Sequence, residues 1–270
     1  MDLLKSPIRK LYRSYLVPSL SAAIVTSVYG FVDMIAIGQG VGPDGAAALS
    51  IATPIFGVIS FFGILCGVGG SVYFGKARGE GGVEKSNAYF SASLFLTVAL
   101  TILVWAGFNI FSTPIYKFFG ATENLMPFVR DYTNCIVWTM PFFILSSYLS
   151  CLVRSDGAPN KVMAAVVSGG VFNVFGDWFF VFPMGWGMMG AALATVLGTI
   201  IQFIILCSHF FQKKNTLKIV KPFKPLRASR NVLFAGFSAS VIDIAFIVLT
   251  VILNKQVLRY GGEAALAVFG

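Results

Sequence analysis

Residues 46–74 read AAALSIATPIFGVISFFGILCGVGGSVYF and contain no Asp, Glu, Lys or Arg. A helix needs about 20 predominantly apolar residues to cross the hydrocarbon core of a bilayer. This run exceeds that length, so we expect a membrane-spanning helix that is tilted or that continues along the interface. The run decides the fold class, because a segment this long and apolar is more stable in the hydrocarbon core of a membrane than in water.

Six further apolar runs recur along the chain, separated by short polar loops. Together with the first run they predict membrane spans at 15–37, 46–74, 88–111, 132–153, 162–182, 188–211 and 232–253. The composition agrees, because 57% of the residues are hydrophobic and 11% are charged, whereas soluble domains carry roughly a quarter charged residues. We therefore predict an all-α integral membrane protein with seven spanning helices. The first span is too long for the apolar core of a signal peptide, so cleavage is not expected.

The basic residues alternate between the two sides of the predicted bundle. The net charge is +9, and 16 of the 20 Lys and Arg residues precede the first span or follow spans two, four and six. These residues are Lys5, Arg9, Lys10, Arg13, Lys76, Arg78, Lys85, Arg154, Lys161, Lys213, Lys214, Lys218, Lys221, Lys224, Arg227 and Arg230. By the positive-inside rule we expect a multi-pass protein of the plasma (inner) membrane with a cytoplasmic N-terminus. The charge serves topology and contact with anionic lipid head groups, so the lipid bilayer is an expected partner and nucleic acid is not.

The cysteines and the single histidine give no sign of a catalytic or metal centre. Cys66, Cys135, Cys151 and Cys207 fall within predicted spans, without CxxC or Cys/His spacing, so we expect apolar packing rather than disulfides or zinc. His209 stands at the end of the sixth span, where an interfacial position and a proton-relay role are both open. An enzyme would need a nucleophile–base pair or metal ligands at membrane depth, so we expect neither enzymatic activity nor a cofactor.

The chain contains an internal repeat, in which residues 16–53 align without gaps on residues 233–270. The informative match pairs GAAALSI (45–51) with GEAALAV (262–268). One repeat unit contains six spans, and an even number of spans makes the two halves parallel. The predicted domains are a six-helix lobe at 1–211, a basic cytoplasmic inter-lobe linker at 212–231, and the first helix and start of an incomplete second lobe at 232–270. We expect the C-terminal lobe to be missing through truncation, or to be supplied by a separate polypeptide.

Acidic side chains occur within three predicted spans, as Asp33, Asp177 and Asp243. An acid at the centre of a membrane helix costs about 2.5–3.5 kcal/mol on insertion scales, so such residues usually face the bundle interior or a water-filled cavity. At a rise of about 1.5 Å per residue, Asp33, Asp177 and Thr195 all lie within about 10 Å of the outer surface. Asn173 stands one helical turn before Asp177 on the same face. The sequence therefore predicts one layer of oxygen-bearing side chains, with Asp243 as a separate, deeper candidate.

This donor set indicates a cation site. Carboxylates, an amide and a hydroxyl are hard oxygen donors that suit Na⁺ or that can hold a proton. Three alternatives stay open: Asp33 could reach the lipid head groups, Asn173 and Asp177 could join helices by hydrogen bonds, and Thr195 could bond its own backbone.

Pro18 precedes Asp33 by 15 residues in the first span. Proline removes a backbone hydrogen bond and permits a kink, so cation binding at Asp33 is expected to couple to bending of this helix at Pro18. The alternative is that Pro18 occupies the first turn of the helix, where proline is common and causes no kink.

Six segments of the chain, in this order and spacing, resemble the multidrug and toxic compound extrusion (MATE) transporters. The segments are GFVDMIAIGQGVG (30–42), AAALSIATPI (46–55), YFGKARGEG (73–81), RSDGAPNKVM (154–163), FNVFGDWFFVF (172–182) and GMMGAALAT (187–195). The resemblance covers nearly the whole chain. It implies a twelve-helix antiporter of two six-helix lobes that exports drugs or organic cations by alternating access, in exchange for Na⁺ or H⁺.

The resemblance also implies roles for individual residues. The cation site of the family's N-terminal lobe falls on Asp33, Asn173, Asp177 and, less closely, Thr195, and the family's bend-forming proline falls on Pro18. The implied partners are the lipid bilayer, a small cationic or amphipathic substrate and the missing C-terminal lobe. Two rivals to the exporter remain, namely a lipid-linked oligosaccharide flippase of the same superfamily and a non-transporting membrane scaffold fragment.

Overall fold

The computed structural model describes residues 7–221 and 225–269, and helices account for most of these positions. The α-helices are α1 (Ile8–Gly40), α2 (Pro43–Gly79), α3 (Val83–Ile110), α4 (Ser112–Phe119), α5 (Met126–Ser155), α6 (Pro159–Val181), α7 (Gly187–Cys207) and α8 (Pro225–Phe269). One short 3-10 helix, Ser208–Phe211, extends α7. No strand is present within the described ranges.

Seven of the described helices are long and apolar enough to cross a membrane, namely α1, α2, α3, α5, α6, α7 and α8. They correspond in order to the seven predicted spans, so the prediction of an all-α integral membrane protein is confirmed. The short helix α4 was not predicted, because its residues follow the third span directly and read as part of a loop. It ends at Gly120, whose φ of 112° is left-handed and turns the chain toward α5.

Two loops show why the long helices begin where they do. Gly42 has a φ of 100° and stands before Pro43, the first residue of α2. Gly157 has a φ of 83° and is followed, after one residue, by Pro159, the first residue of α6. A positive φ favours glycine, and the fixed φ of proline suits the first helical turn. The Gly and Pro residues of these loops therefore end one helix and start the next.

The bundle has two distinct ends, because short connections make consecutive spanning helices antiparallel. The basic end holds the start of α1, the α2–α3 and α5–α6 loops and the segment between α7 and α8. The predicted basic residues lie there, apart from Lys5 and Lys224, which fall outside the described residues. The opposite end holds α4 and the loops that precede α2, α5 and α7.

Helix α8 differs in two ways from the predicted seventh span. It begins at Pro225, inside the segment predicted as linker, and it is interrupted at Gly262, whose φ of 72° is not helical. Gly262 aligns with Gly45 in the internal repeat, three residues beyond the break at Gly42 between α1 and α2. Both halves of the repeat thus show a helix, a glycine break and a second helix. This correspondence supports the parallel repeat, whose domain boundaries stay a prediction.

Helix α8 packs mainly against α2, and glycines allow the two backbones to approach closely. A Cβ atom on Gly236 would overlap the carbonyl oxygen of Leu65, and a Cβ on Gly69 would overlap the carbonyl oxygen of Val232. Small residues are typical of such membrane-helix crossings, because close backbone contact replaces the hydrophobic driving force that lipid removes. Helix α8 is therefore an integral part of the described bundle rather than an appendage.

Polar side chains join the remainder of α8 to the first six spans. Ser60 Oγ donates a hydrogen bond of 3.0 Å to Oδ1 of Asp243, and Asn254 Nδ2 donates one of 2.9 Å to the carbonyl oxygen of Ser50. At the opposite end Thr122 bonds the carboxylate of Glu263. Asp243 is thus hydrogen-bonded to α2.

The segment at 212–221, which we call the linker strap, lies against the basic end of the bundle. The backbone amide of Lys218 donates to Asn87 Oδ1 over 3.2 Å, and that of Val220 donates to Ser91 Oγ over 2.8 Å. Leu217 of the strap is 2% exposed and packs into the core at this end. Because backbone amides of the strap donate hydrogen bonds to buried side chains of α3, the strap is a fixed part of the fold.

A buried polar cluster around Asp156 fixes the start of the linker strap. His209 Nε2 lies 2.7 Å from Asp156 Oδ2, and both side chains are 2% exposed or less. The backbone amide of Thr216 donates to Asp156 Oδ2 over 3.0 Å, and the Thr216 hydroxyl bonds Oδ1. His209 stands at the helix end as expected, and its side chain is buried in the protein beside Asp156.

Asp156→Ala is expected to destabilise the protein by about 1–3 kcal/mol, because it leaves the Thr216 amide and the His209 ring buried without their partner. The measurement is the thermal unfolding midpoint of the detergent-purified chain. Glu80→Ala is the control, since Glu80 is exposed and pairs with exposed Lys85 at the same end, and it should leave the midpoint unchanged. Equal midpoints for the two variants would contradict a structural role for the Asp156 cluster.

Candidate functional site

The site begins with the close crossing of α6 and α7. A Cβ atom on Gly198 would lie 2.7 Å from the carbonyl oxygen of Gly169, so neither position has room for a larger side chain. This crossing brings Asn173 of α6 beside Thr195 of α7, and Asn173 Nδ2 donates a hydrogen bond of 3.1 Å to Thr195 Oγ1. Asn173 is 3% exposed, and its Oδ1 has no hydrogen-bond partner among the described residues.

Asp33 enters the same site from α1. Its carboxylate is 7% exposed and accepts a hydrogen bond of 3.0 Å from the Tyr132 hydroxyl of α5. Its second oxygen, Oδ1, is buried and has no partner in the described part of the chain. The burial excludes the alternative in which Asp33 reaches the lipid head groups.

Asp177 of α6 faces Asp33 directly. It is fully buried, and the two carboxyl groups are close enough to interact with each other. Neither oxygen of Asp177 meets a hydrogen-bond donor within residues 7–221 and 225–269. Two buried carboxylates at contact distance repel one another unless a proton or a cation lies between them. The pair is therefore an arrangement that a proton or a small cation between the carboxyl groups can stabilise.

A cavity of about 680 Å³ opens beside this pair between α1, α2, α5, α6 and α7. Its lining combines hydroxyl and amide side chains with aromatic rings, and Asp33 is the one Asp, Glu, Lys or Arg among the described residues that line it. The aromatic lining includes Tyr29, Phe56 and Phe143 and is joined by Phe246 of α8. A cavity with one acid and several aromatic faces suits a flat organic cation.

The unpartnered atoms define what the site can bind. They are Asp33 Oδ1, both carboxylate oxygens of Asp177 and Asn173 Oδ1, all of them hard oxygen acceptors. Such donors fit Na⁺, and the same carboxyl pair can hold a shared proton. The described residues contain no group of three or more His, Cys, Asp and Glu that could hold a transition metal.

The structure brings together all four residues that the sequence predicts for the cation site, namely Asp33, Asn173, Asp177 and Thr195. Their proximity follows from the matching depths predicted along α1, α6 and α7. Hydrogen bonding between helices does occur here, at Asn173 and Thr195, but it leaves the carboxyl oxygens of Asp177 unused. The role of the four residues as cation ligands stays a prediction.

Pro18 lies well inside α1, which begins at Ile8, and the residue is buried. The alternative that Pro18 occupies the first turn of the helix is therefore wrong. Its nitrogen cannot donate the helical hydrogen bond, so the helix is locally weakened about 22 Å from Asp33 at 1.5 Å per residue. Its coupling to cation binding remains a prediction.

Sequence reasoning missed Tyr132, the donor to Asp33. Tyr132 stands at the first position of the predicted fourth span, where an interfacial tyrosine is expected in any membrane protein. In the structure α5 begins earlier, at Met126, so Tyr132 lies two turns inside the helix and is 1% exposed. The available signal was Pro127 in the first turn of α5, because proline is common at a helix start and this position places Tyr132 inside the helix.

The sequence matches the family model described as MatE over residues 18–179. It is 27% identical over 265 residues to the multidrug export protein MepA of Staphylococcus saprophyticus, which covers 96% of this chain and 58% of the relative. It is also 27% identical over 263 residues to the probable multidrug resistance protein YoeA of Bacillus subtilis, covering 94% of this chain and 57% of that protein. The chain therefore spans a little over half the length of these relatives.

Solved structures show the same arrangement of helices. A structure of the MATE multidrug transporter DinF-BH superposes with a TM-score of 0.92 at 25% identity, over 100% of this chain and 61% of that structure. An inward-facing multidrug resistance MATE family transporter superposes with a TM-score of 0.84 at 23% identity, over 90% of this chain and 56% of that structure.

Proposed function

The chain belongs to the MatE family, and from that premise we propose that it forms the first lobe, and the start of the second, of a cation-coupled drug antiporter. The complete protein exports organic cations or other amphipathic compounds by alternating access, in exchange for inward Na⁺ or H⁺. Its named relatives are multidrug export or resistance proteins, which supports the same substrate class for this chain.

The observation that carries the proposal is the buried pair of Asp33 and Asp177, which share one environment and leave three carboxylate oxygens without hydrogen-bond donors in the described residues. A coupling cation between the two acids removes their mutual repulsion and leaves a single net negative charge on the pair. A conformation that keeps the acids together binds the cation, and one that separates or hydrates them releases it. The cation drives transport because its affinity differs between the two conformations.

The substrate binds in the cavity beside the acid pair. Its lining has aromatic rings and one acid, and Lys and Arg are missing from the described residues that form it. A flippase for lipid-linked oligosaccharide handles a pyrophosphate, which needs cationic side chains. The lining therefore favours export of cationic amphiphiles over the flippase alternative.

The proposed topology places the basic end in the cytoplasm and the cation site toward the outer surface of the plasma (inner) membrane. The distribution of Lys and Arg supports this orientation. Pro18 lies in the cytoplasmic half of α1 in this topology, where a change of helix bend would follow neutralisation of Asp33. The partner that completes the cavity is a second lobe, beginning with α8.

The test is transport in proteoliposomes that contain the full-length protein encoded by the open reading frame to which this chain belongs. A fluorescent organic cation such as ethidium is loaded, and a Na⁺ gradient or a pH gradient is imposed separately. We expect one gradient to raise dye export several-fold above that of protein-free vesicles. Absence of a response to both gradients, with tight binding of lipid-linked sugar, would instead favour the flippase. A stable protein that binds neither ligand would favour a scaffold.

A further inference from the structure

A second cavity, of about 710 Å³, opens at the basic end between α3 and α8. We call it the basic pocket. It shares no lining residue with the cavity beside Asp33, so it is a separate feature of the bundle. Its polar lining consists of Glu84, Lys85 and Tyr89 from α3, Lys221 from the linker strap, and Arg227 and Asn231 from α8.

The pocket carries an excess of positive charge. Among the described residues, three cations line it against one acid, Glu84. Lys85 Nζ also donates a hydrogen bond of 3.0 Å to Glu80, and this contact lowers the pKa of the Glu80 carboxyl. Lys221 and Arg227 have no acidic partner within the described part of the chain. Two unpaired cations that face one pocket attract an anion with several oxygens, of the kind that phosphate provides.

The backbone of α3 adds to this preference. The residue before its first turn is Gly82, which lines the pocket and supplies no side-chain cap to the N–H groups of that turn. Val83 N–H already donates to the carbonyl oxygen of Gly81, and the positive end of the helix dipole at the rest of this turn favours an anion. The ring of Tyr89, which lines the pocket, stacks on the ring of Tyr73 with 4.9 Å between their centroids. This stacking holds Tyr89 at the pocket.

Exposed aromatic side chains continue from the pocket toward the membrane. Phe234 is 70% exposed and follows Arg227 and Asn231 on the same face of α8. Phe95 is 56% exposed and lies two turns beyond Ala88 of the pocket on α3. A polar anion site with an apolar path beside it matches a molecule that has a phosphate head and hydrocarbon chains.

We propose that the basic pocket binds the phosphate head group of an anionic phospholipid from the leaflet at the basic end of the bundle. Arg227 and Lys221 bind the phosphate oxygens, Tyr89 donates a further hydrogen bond, and the acyl chains lie along the faces that carry Phe95 and Phe234. The lipid links α3 of the first lobe to α8, the first helix of the second. Basic pockets between membrane helices commonly recognise lipid head groups in this way.

The experiment measures the thermal midpoint of the detergent-purified chain during titration with short-chain phosphatidylglycerol, phosphatidylcholine or inorganic phosphate. We expect phosphatidylglycerol to raise the midpoint by several degrees at saturation, because a ligand that binds the folded state stabilises it. The double variant Lys221→Gln/Arg227→Gln should need at least tenfold more phosphatidylglycerol for the same rise. Phosphatidylcholine and inorganic phosphate should have little effect at matched concentrations.

The matched control is Lys213→Gln/Lys214→Gln, which removes the same charge from exposed residues of the linker strap outside the pocket. It should respond to phosphatidylglycerol like the unmodified chain. Equal weakening in both double variants would overturn the proposal, since the lipid would then sense overall charge alone. A full response to inorganic phosphate would also overturn it and assign the pocket to a soluble anion. Arg227→Gln alone serves as the pocket variant if the double variant does not fold.

Discussion

Asp177→Asn is expected to lower ion-driven export about 100-fold, the upper part of the range that coupling free energies of 1–3 kcal/mol allow. Asn removes one of the two negative charges between which the coupling cation binds, so the substituted pair binds that cation more weakly and no longer distinguishes the loaded state from the empty one. Asp33→Asn should have the same effect. The measurement is the initial rate of dye export from proteoliposomes at equal protein content.

These variants should fold, because Asn keeps the shape of the carboxyl group and removes repulsion between two buried acids. Their thermal midpoints should equal or exceed that of the unmodified protein, and they should lose any stabilisation that Na⁺ gives it. Asp44→Asn makes the same chemical change at an exposed residue of α2, outside the cavity, and should transport normally. Normal export by both Asp33→Asn and Asp177→Asn would remove the basis for this cation site.

Gly69→Ala/Gly236→Ala is expected to destabilise the protein by about 4 kcal/mol, since each added methyl group meets backbone and overpacking typically costs about 1–3 kcal/mol per site. Gly236 faces the carbonyl oxygen of Leu65, and Gly69 faces that of Val232. Backbone atoms cannot move aside as a flexible side chain can, so α8 has to shift away from α2. The measurement is the thermal unfolding midpoint in detergent, supported by faster proteolysis of α8.

The control for this pair is Gly38→Ala/Gly107→Ala. Both glycines lie within helices, and a Cβ atom would meet nothing within 4 Å at either position. Alanine is a better helix former than glycine by up to about 1 kcal/mol, so this variant should be as stable as the parent or more so. The two double variants thus change stability in opposite directions. A stable Gly69→Ala/Gly236→Ala protein would show that the α2–α8 contact is looser than described.

The apolar helices and the grouping of Asp33, Asp177 and Thr195 at one level of the bundle could be predicted from sequence, because both depend on properties that run along the chain. Asp33, Asp177 and Thr195 each stand a countable number of residues from a helix end, and the helical rise converts that number into a depth. Asn173 could be added because it lies one turn from Asp177 on the same face. The repeat also aligns Gly262 with Gly45, close to the loop between the first two spans.

The side-chain contacts between helices could not be predicted. The spans are apolar on most faces, so the sequence does not indicate which face of each helix points toward its neighbours. The sequence therefore did not show that Tyr132 points at Asp33 or that Ser60 meets Asp243. Asp156 and His209 lie 53 residues apart, and the strap that adds Thr216 to their cluster contains several lysines that indicate a solvent-exposed segment. The start of α8 was missed for a similar reason, since PLRASRN at 225–231 is polar and looks like loop.

The glycine contacts between α2 and α8 bear on how segments of MatE-family proteins can be exchanged. A chimera joined within the basic segment after α7 would bring in a foreign α8, whose side chains were never selected to clear the carbonyl oxygens of Leu65 and Val232. Joining the halves at the break around Gly262 would keep the native α8 against its own α2. The better position for joining two such chains is therefore after α8, one helix later than the boundary between the two repeats.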